Sequence, residues 1–222
     1  MHELPPPPDP AVVERVSAVT IAGHRNDRTA VDAALSDTSP EVREAALSAL
    51  VRVADRDAGA AVAGAFDDPA PGVRARASEL AALIDVDPQR LLDDDNARVV
   101  EVTCFACGEL DWDAHASEPP VAALSRIATE HDDALCRESA AAALGAIGDP
   151  QGLDAVLAAC SDRVTVRRRA TLALAAFDDP RADAALEQAL DDKDWQVRQA
   201  AEDLLEVGRV LDGDPDPDAY AD

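Results

Sequence analysis

The residues of this sequence best suited to chemistry are its four cysteines. Cys104 and Cys107 form a Cys-x-x-Cys pair, and Cys136 and Cys160 bring the number to four. Four thiolates are a common ligand set for a structural zinc ion. The pattern therefore raises a metal site, and that interpretation depends on where the surrounding elements place the four side chains.

The other side chains with catalytic potential are scattered. The histidines are His2, His24, His115 and His131, and the only His-Glu dipeptide is His2-Glu3. The sequence has no glycine-rich phosphate loop, no Ser/His/Asp arrangement and no adjacent Cys–His pair. We therefore predict no catalytic residue and no cofactor, and we expect that the chain is not an enzyme.

A repeated helix pattern accounts for most of the chain. An acidic turn at Asp37 is followed by Val42-Arg43 and then by small and large apolar residues. The second position of the Val-Arg pair recurs at an average spacing of 31 residues, as Arg43, Arg74, Val100, Arg137, Arg167 and Arg198. A period of this length is typical of stacked helical hairpins.

The register continues along each helix. Three residues after the arginine position stand Ala46, Ala77, Thr103, Ala140, Ala170 and Ala201. Seven residues after it stand Leu50, Ala81, Cys107, Leu144, Leu174 and Leu205. Because offsets of three and seven lie on one helical face, the sequence predicts six helices that bury a shared apolar seam.

This register gives the cysteines a second interpretation. Each stands where another repeat has a large aliphatic residue: Cys104 at the position of Leu47, Cys107 at that of Leu50, Cys136 at that of Val42 and Cys160 at that of Leu190. Unpaired cysteine is a common small core residue. We therefore interpret the four as packing residues and predict no metal site.

Each repeat also has a second helix, whose start is marked by turns such as Asp149-Pro150 and Asp179-Pro180. Proline suits a first helical turn, and the preceding aspartate caps its free N–H groups. We predict an all-α fold, an α-solenoid of about six helical hairpins with a terminal capping helix. It is expected to span residues 10–208, between a proline-rich tail at 1–9 and an acidic disordered tail at 209–222.

The signature Asp-x-x-x-x-Val-Arg-x-x-Ala-x-x-x-Leu, which begins at Asp37, resembles HEAT repeats, and especially the short HEAT-like repeats of phycobilisome lyases. The resemblance covers residues 11–208 and implies the armadillo-like α-solenoid fold. Its members include bilin lyases, deoxyhypusine hydroxylase and many adaptor proteins, so it implies no single activity. The paired His-Glu motifs that hold di-iron in the hydroxylase are missing here.

The chain is strongly acidic. It has 45 Asp and Glu against 20 Lys and Arg, a net charge of −25, and Lys193 is its only lysine. An acidic surface repels phosphate, so neither nucleic acid nor an anionic membrane is expected as a partner. The composition resembles that of halophilic archaeal proteins. Since no apolar run is long enough for a membrane span or a signal peptide, we expect a cytoplasmic protein.

The longest connector, Glu109 to Pro120, supplies the first candidates for partner binding. Insertions in repeat proteins form loops, and loops often carry binding residues. Trp112 is the candidate anchor because aromatic side chains dominate interface energetics, and His115 lies in the same loop. The alternative is that Trp112 folds back over the neighbouring hairpin. Trp195, at the start of the last repeat helix, is expected to pack on the preceding turn.

Arg163 and Arg168 are the other candidates. The register explains Arg167, whereas Arg163 and Arg168 are additional positive charges in an acidic chain. They either bind an acidic partner or neutralise neighbouring aspartates. The arginines of the register itself are expected to bridge acidic turns along the stack.

Together these features predict a non-catalytic scaffold that binds another protein on the solenoid surface. The resemblance to phycobilisome lyases implies an alternative, a lyase or chromophore-handling role, which would require tetrapyrrole binding. Because this alternative depends on the repeat alone, it is a fold-level analogy.

The acidic composition predicts a salt-dependent stability. Raising the ionic strength from 0.1 M to 1 M shortens the Debye length from about 10 Å to about 3 Å and screens the repulsion among the carboxylates. We expect thermal unfolding followed by circular dichroism to become more cooperative, with a higher midpoint, in molar KCl. An identical melt in dilute buffer would contradict this expectation.

Overall fold

The computed structural model describes residues 9–54, 58–115 and 117–211. Within these ranges the chain forms α-helices and short 3-10 helices and no strand. The α-helices are α1 (Pro10–His24), α2 (Arg28–Ala34), α3 (Pro40–Ala54), α4 (Gly59–Gly64), α5 (Pro71–Ala81), α6 (Ala97–Glu109), α7 (Val121–Glu130), α8 (Ala134–Ile147), α9 (Leu153–Ala159), α10 (Val164–Ala173), α11 (Pro180–Ala189) and α12 (Trp195–Leu211). The 3-10 helices span Ala65–Asp67, Gln89–Asp93, Pro150–Gly152 and Leu174–Ala176.

In chain order these elements are the predicted α-solenoid of six hairpins. Helices α1, α3, α5, α6, α8 and α10 are the first helices of the hairpins, and α12 caps the series. One expectation is wrong: the third hairpin has no second α-helix, only the 3-10 segment Gln89–Asp93. The physical reason is length, since only 26 residues separate Arg74 from Val100.

The predicted seam is buried. The residues three positions after the arginine position, Ala46, Ala77, Thr103, Ala140, Ala170 and Ala201, are all 0% exposed. Of the residues seven positions after it, Leu50, Ala81, Cys107, Leu144 and Leu174 are buried, and Leu205 is partly buried. The small side chains let neighbouring helices approach closely, and the larger ones fill the space beyond.

The helices begin where the sequence predicts. Asp149 and Asp179 precede Pro150 and Pro180, and each carboxylate accepts a backbone N–H two residues ahead at 2.8 Å. Asp9 does the same for Ala11 at the start of α1, at 2.9 Å. These contacts satisfy N–H groups that a helix cannot pair internally.

The chain divides into two compact units, residues 1–106 and 107–222. In the first unit, Leu50 and Val31 belong to one buried cluster, and Phe66 and Val73 to a second. In the second unit, the largest fully buried side chains include Leu124, Leu144, Leu153 and Leu174. Each unit therefore has its own core.

Helix α12 continues to Leu211, three residues beyond the predicted end of the solenoid at 208. The predicted proline-rich tail, apart from Asp9, and residues 212–222 of the predicted acidic tail lie outside the described residues. Among the described helices none is both long and apolar enough to cross a membrane.

Two helical glycines predict opposite effects of the same substitution. A Cβ at Gly145 on α8 would lie 2.6 Å from the Ala173 Cβ and 2.7 Å from its Cα, whereas a Cβ at Gly64 would meet nothing within 4 Å. Gly145→Ala is expected to lower the free energy of unfolding by about 1–3 kcal/mol through overpacking. Gly64→Ala is expected to raise it by up to about 1 kcal/mol through helix propensity. Chemical denaturation measures both, and stabilisation by Gly145→Ala would refute the close contact.

Candidate protein-binding surface

Arginines of the repeat register form ion pairs with aspartates of the next turn, and we call each such pair a rung. Arg167 shows the pattern: its Nε and Nη2 donate to the two carboxylate oxygens of Asp192 at 2.9 and 2.8 Å, and its Nη1 donates to the Asp162 carbonyl at 2.9 Å. The same bidentate pairing joins Arg43 to Asp68, Arg74 to Asp94 and Arg137 to Asp162. The arginines bridge acidic turns along the stack, as the sequence predicts.

Each of these arginine–aspartate pairs also orders the turn that contains the aspartate. The Asp192 carboxylate that pairs with Arg167 accepts the Asp194 N–H at 2.8 Å. The hydrogen bonds from Arg167 lower the pKa of Asp192, and those from Arg137 lower the pKa of Asp162. Both carboxylates therefore stay ionised and bound in the turns, which leaves them unavailable for a partner.

The structure places Arg168 in a further ion pair and leaves Arg163 exposed. Arg168 donates from Nε and Nη2 to the two carboxylate oxygens of Asp194 at 2.8 and 2.6 Å, and this contact lowers the pKa of Asp194 to about 2. This is the arrangement expected of an arginine that neutralises a neighbouring aspartate. The exposed guanidinium of Arg163 makes no ion pair with the part of the chain that the structure describes. Partner binding by either residue stays a prediction.

Trp112 lies back against the end of its own helix. Its indole N–H donates to the Cys107 carbonyl at 2.7 Å, near the C-terminus of α6. Its ring lies 5.5 Å from that of His115, and both side chains are partly buried. The indole thus caps a carbonyl of α6, the helix that precedes its loop, and the expected fold-back over the neighbouring hairpin stays a prediction. A role of Trp112 or His115 in binding stays a prediction.

Trp195 begins α12 and is 63% exposed, and its expected packing on the preceding turn stays a prediction. The Asp194 side chain already occupies that turn, where it receives hydrogen bonds from the N–H groups of Gln196 and Val197 and from Arg168.

The cysteines occupy the packing positions that the register assigns to them. Cys104, Cys107 and Cys136 are 0% exposed. Cys160 is only partly buried, and it lines a cleft at the end of α9. Burial raises the pKa of its thiol to about 11, so the thiol is neutral at physiological pH and weakly nucleophilic.

A cleft of about 520 Å³ separates the second helices α9 and α11 of the second unit. Its α9 wall carries Leu157 and Cys160, and its α11 wall carries the small residues Ala184, Ala185 and Ala189 together with the polar side chains of Arg181 and Gln188. Thr171 on α10 and Val197 on α12 also line it. The cleft opens to solvent between two helical walls, and its volume corresponds to several large apolar side chains.

The exposed surface of α11 that does not line the cleft is acidic. Asp183 and Glu187 lie four residues apart on this helix, Asp191 follows two residues after its end, and all three are exposed. Their carboxylates make no hydrogen bond or ion pair with any described residue. The nearby Arg181 instead pairs with Asp154 at 2.7 Å and with Asp179 at 3.0 Å. The candidate protein-binding surface is the cleft between α9 and α11.

Sequence reasoning missed this surface because its side chains are inconspicuous. Alanines on α11 predict close packing as readily as they predict a gap, and the difference depends on how closely α9 approaches.

Comparisons with known proteins agree with this architecture. The model of the family described as HEAT repeats matches residues 121–206, and a model described as HEAT repeat matches residues 29–56. One match lies in each compact unit. No curated protein matches the chain significantly.

Two solved structures are similar in fold. An engineered protein solved by a structural genomics consortium is 19% identical, with a TM-score of 0.60, over 81% of this chain and 95% of its own. Human deoxyhypusine hydroxylase in complex with glycerol is 21% identical, with a TM-score of 0.44, over 89% of this chain and 80% of its own. At these identities the similarity concerns the fold alone, and the second similarity carries no argument about activity.

The rungs predict unequal effects of two arginine substitutions. Arg167→Ala removes three hydrogen bonds and leaves the Asp192 carboxylate, 16% exposed, without its partner. We expect the free energy of unfolding to fall by about 1–3 kcal/mol. The control Arg181→Ala removes two ion pairs, with Asp154 and Asp179, of a side chain that is 56% exposed and should cost much less. Equal losses in urea denaturation would show that the rungs contribute no more than surface ion pairs.

Proposed function

Since this chain is a HEAT-repeat protein, we propose that it is a non-catalytic scaffold that binds another protein at the cleft between α9 and α11. The single observation that carries the proposal is the cleft itself, an open space of about 520 Å³ between second helices whose first helices pack closely. Solenoids use extended surfaces of this kind to hold partners. The proposed function needs no reactive residue and no cofactor.

The pairing of the charged side chains supports this proposal. The arginines of the rungs and their aspartates are engaged in bidentate pairs inside the repeat, where they position turns. The exposed carboxylates of Asp183 and Glu187 on α11 and of Asp191 just after it, in contrast, have no partner among the described residues. An open cleft whose walls carry both polar and apolar side chains is suited to recognition.

Two finer assignments are part of the same proposal. The repeat signature from Asp37 to Leu50 supports a place among the phycobilisome-lyase type of HEAT-like repeats. The net charge of −25 with a single lysine supports adaptation to a high-salt cytoplasm. Such a location would put the partner in molar salt, where apolar contacts matter more than long-range attraction.

The test of the scaffold is stoichiometric binding. The full chain, immobilised in molar KCl, captures proteins from the native extract, and each captured protein is purified and titrated against the chain by calorimetry. We expect a partner that binds one to one without chemical conversion. Failure to recover any such partner would overturn the scaffold, and an absorbance shift on titration with a tetrapyrrole would favour the chromophore-handling role.

A pair of tryptophan variants locates the binding site. Ala184→Trp fills the cleft from the exposed surface of α11, and we expect it to weaken binding about tenfold or more. The matched control is Ala122→Trp, an exposed alanine on α7 that does not line this cleft. Equal affinities of the two variants would place the partner elsewhere on the chain.

A further inference from the structure

The last arginine of the repeat register lacks the aspartate that would complete a rung. Arg198 on α12 donates from Nη1 to the Asp192 carbonyl at 2.7 Å. The arginines of the rungs have the same anchor, a hydrogen bond from Nη1 to a carbonyl of the preceding turn, at Arg43, Arg74, Arg137 and Arg167. Their Nε and Nη2 then pair with an aspartate of the next turn. Within the described ranges, Nε and Nη2 of Arg198 have no such acceptor.

Two positions of a first helix face the next first helix in the stack. Four residues after the arginine position, Ser78 of α5 hydrogen-bonds to Thr103 of α6 at 2.9 Å. Eight residues after it, Gly145 of α8 lies so close to α10 that an added Cβ would come within 2.6 Å of the Ala173 Cβ. Thr103 and Ala173 stand three and six residues after the arginine positions of their own helices. These contacts define where a helix stacked on α12 would lie.

On α12 the same two positions are charged and exposed. They hold Glu202 and Glu206, and neither carboxylate has a hydrogen bond or ion pair with a described residue. Trp195, three residues before Arg198 and seven before Glu202, lies on the same helical face and is 63% exposed. Solubility requires only a polar outer face on a terminal helix, so it explains neither the exposed indole nor the open guanidinium. Tryptophan and arginine are the residue types that contribute most to binding at interfaces.

We propose that this free face of α12, formed by Trp195, Arg198, Glu202 and Glu206, binds a helix of a partner protein that starts with an aspartate turn and carries basic residues. The partner's aspartate accepts the two remaining hydrogen bonds of the Arg198 guanidinium as a bidentate pair. Its Lys or Arg residues lie beside the two glutamates. The partner helix thereby takes the place of a further first helix of the stack.

The receiving turns of this chain show which carboxylate fits. Asp68, Asp94 and Asp192 each accept the backbone N–H two residues ahead, at 2.9, 2.9 and 2.8 Å, while they also bind the arginine of a rung. The carboxylate therefore belongs to a turn that starts a helix. Such a turn fixes the orientation of the carboxylate, whereas a carboxylate on a flexible segment must be ordered on binding, which lowers affinity.

The same turns give the spacing of the basic residues. Asp68 and Asp192 stand six residues before the arginine positions of their own helices, Arg74 and Arg198. The positions that contact the preceding helix, three and six residues after the arginine position, therefore lie nine and twelve residues after the aspartate. A partner helix with Lys or Arg at these two positions matches the charges of the face.

Other occupants match this face only in part. A second copy of this chain offers Asp9, whose carboxylate accepts a backbone N–H at the start of α1. Nine and twelve residues after it stand Ala18 and Ile21, which carry no charge to meet the two glutamates. The chain's own segment 212–222 contains five aspartates and no basic residue. Nucleic acid and anionic lipid would bring negative charge to the same glutamates.

A designed peptide tests the inference directly. The probe has about 24 residues, enough for an isolated helix, with an aspartate at its start, Lys nine and twelve residues later and no Trp. A second peptide has Asn in place of the aspartate, and a third has Glu in place of both Lys. Fluorescence anisotropy is measured at the lowest KCl concentration that gives a cooperative melt. We expect the first peptide to bind and the other two to bind about tenfold or more weakly, and no binding of the first would overturn the inference.

A double-mutant cycle tests the contact itself. Arg198→Gln removes the open guanidinium, and the matched control Arg163→Gln removes the same charge from an exposed arginine. We expect about a tenfold loss of affinity for Arg198→Gln and less than about twofold for Arg163→Gln. The asparagine peptide should bind Arg198→Gln as tightly as it binds the unchanged chain, because the two side chains act as one pair. Additive losses would overturn the inference.

Matched charge variants separate this face from general attraction to an acidic protein. The test variant combines Glu202→Gln with Glu206→Gln. The control combines Asp183→Asn with Glu187→Gln, two exposed residues of α11, and changes the net charge by the same amount. We expect about a fivefold loss of peptide affinity for the test variant and less than about twofold for the control. Equal losses would contradict the proposed placement of the basic residues.

Trp195 provides an independent readout because its indole is largely exposed, whereas Trp112 is partly buried. Peptide binding is expected to shift the tryptophan emission to shorter wavelength and to reduce its quenching by acrylamide, and Trp195→Phe should abolish both changes. Unchanged emission at saturating peptide would overturn the inference.

Two further measurements separate this face from other sites. Sedimentation that reveals a dimer in the unchanged chain and none in Arg198→Gln would place a second copy on the face and overturn the proposed occupant. The inference does not rest on the cleft between α9 and α11, so Ala184→Trp should bind the peptide as tightly as the unchanged chain does. Loss of peptide binding in that variant would place the peptide in the cleft and overturn the inference.

Discussion

One guanidinium holds two successive turns of the repeat at a fixed separation. Arg167 binds the carbonyl of Asp162, in the turn before its own helix, and the carboxylate of Asp192, in the turn before α12. Bidentate geometry tolerates little displacement, so the rung sets the offset between neighbouring first helices. With the helices at this separation, Ala170 is completely buried in the apolar seam that the first helices share. Close packing of the first helices thus depends on a polar contact at their ends.

The sequence predicted the features that depend on one helix or one turn. The small residues of the seam, such as Ala140, could be assigned because periodicity alone decides which face of a helix is apolar. The features that the sequence did not predict depend on how far two elements stand apart. The indole of Trp112 is bound to a carbonyl of its own helix, and the cleft beside Ala185 exists because α9 does not close against α11. No residue pattern encodes such a distance.

The rungs form two sets, Arg43 and Arg74 in the first unit, where Arg15 makes a similar pair with Asp37, and Arg137 and Arg167 in the second. Between them the register has Val100 at the arginine position and His131 at the aspartate position. His131 keeps the local part of the aspartate's role, because its Nδ1 accepts the Asp133 N–H at 3.0 Å. The sequence thus replaces both the arginine and the aspartate of this pair. The boundary between the compact units, Ala106/Cys107, lies in the same repeat.

Small residues have opposite consequences on the two sides of the second unit. Between α8 and α10, Gly145 and Ala173 bring two first helices so close that a single added Cβ would collide with the neighbouring backbone. Between α9 and α11, alanines such as Ala184 line an open space. The first helices are joined by rungs at their N-termini, whereas the ion pair between these second helices, Arg181 with Asp154, is exposed. Because an exposed ion pair stabilises a contact only weakly, it does not close the space between these second helices.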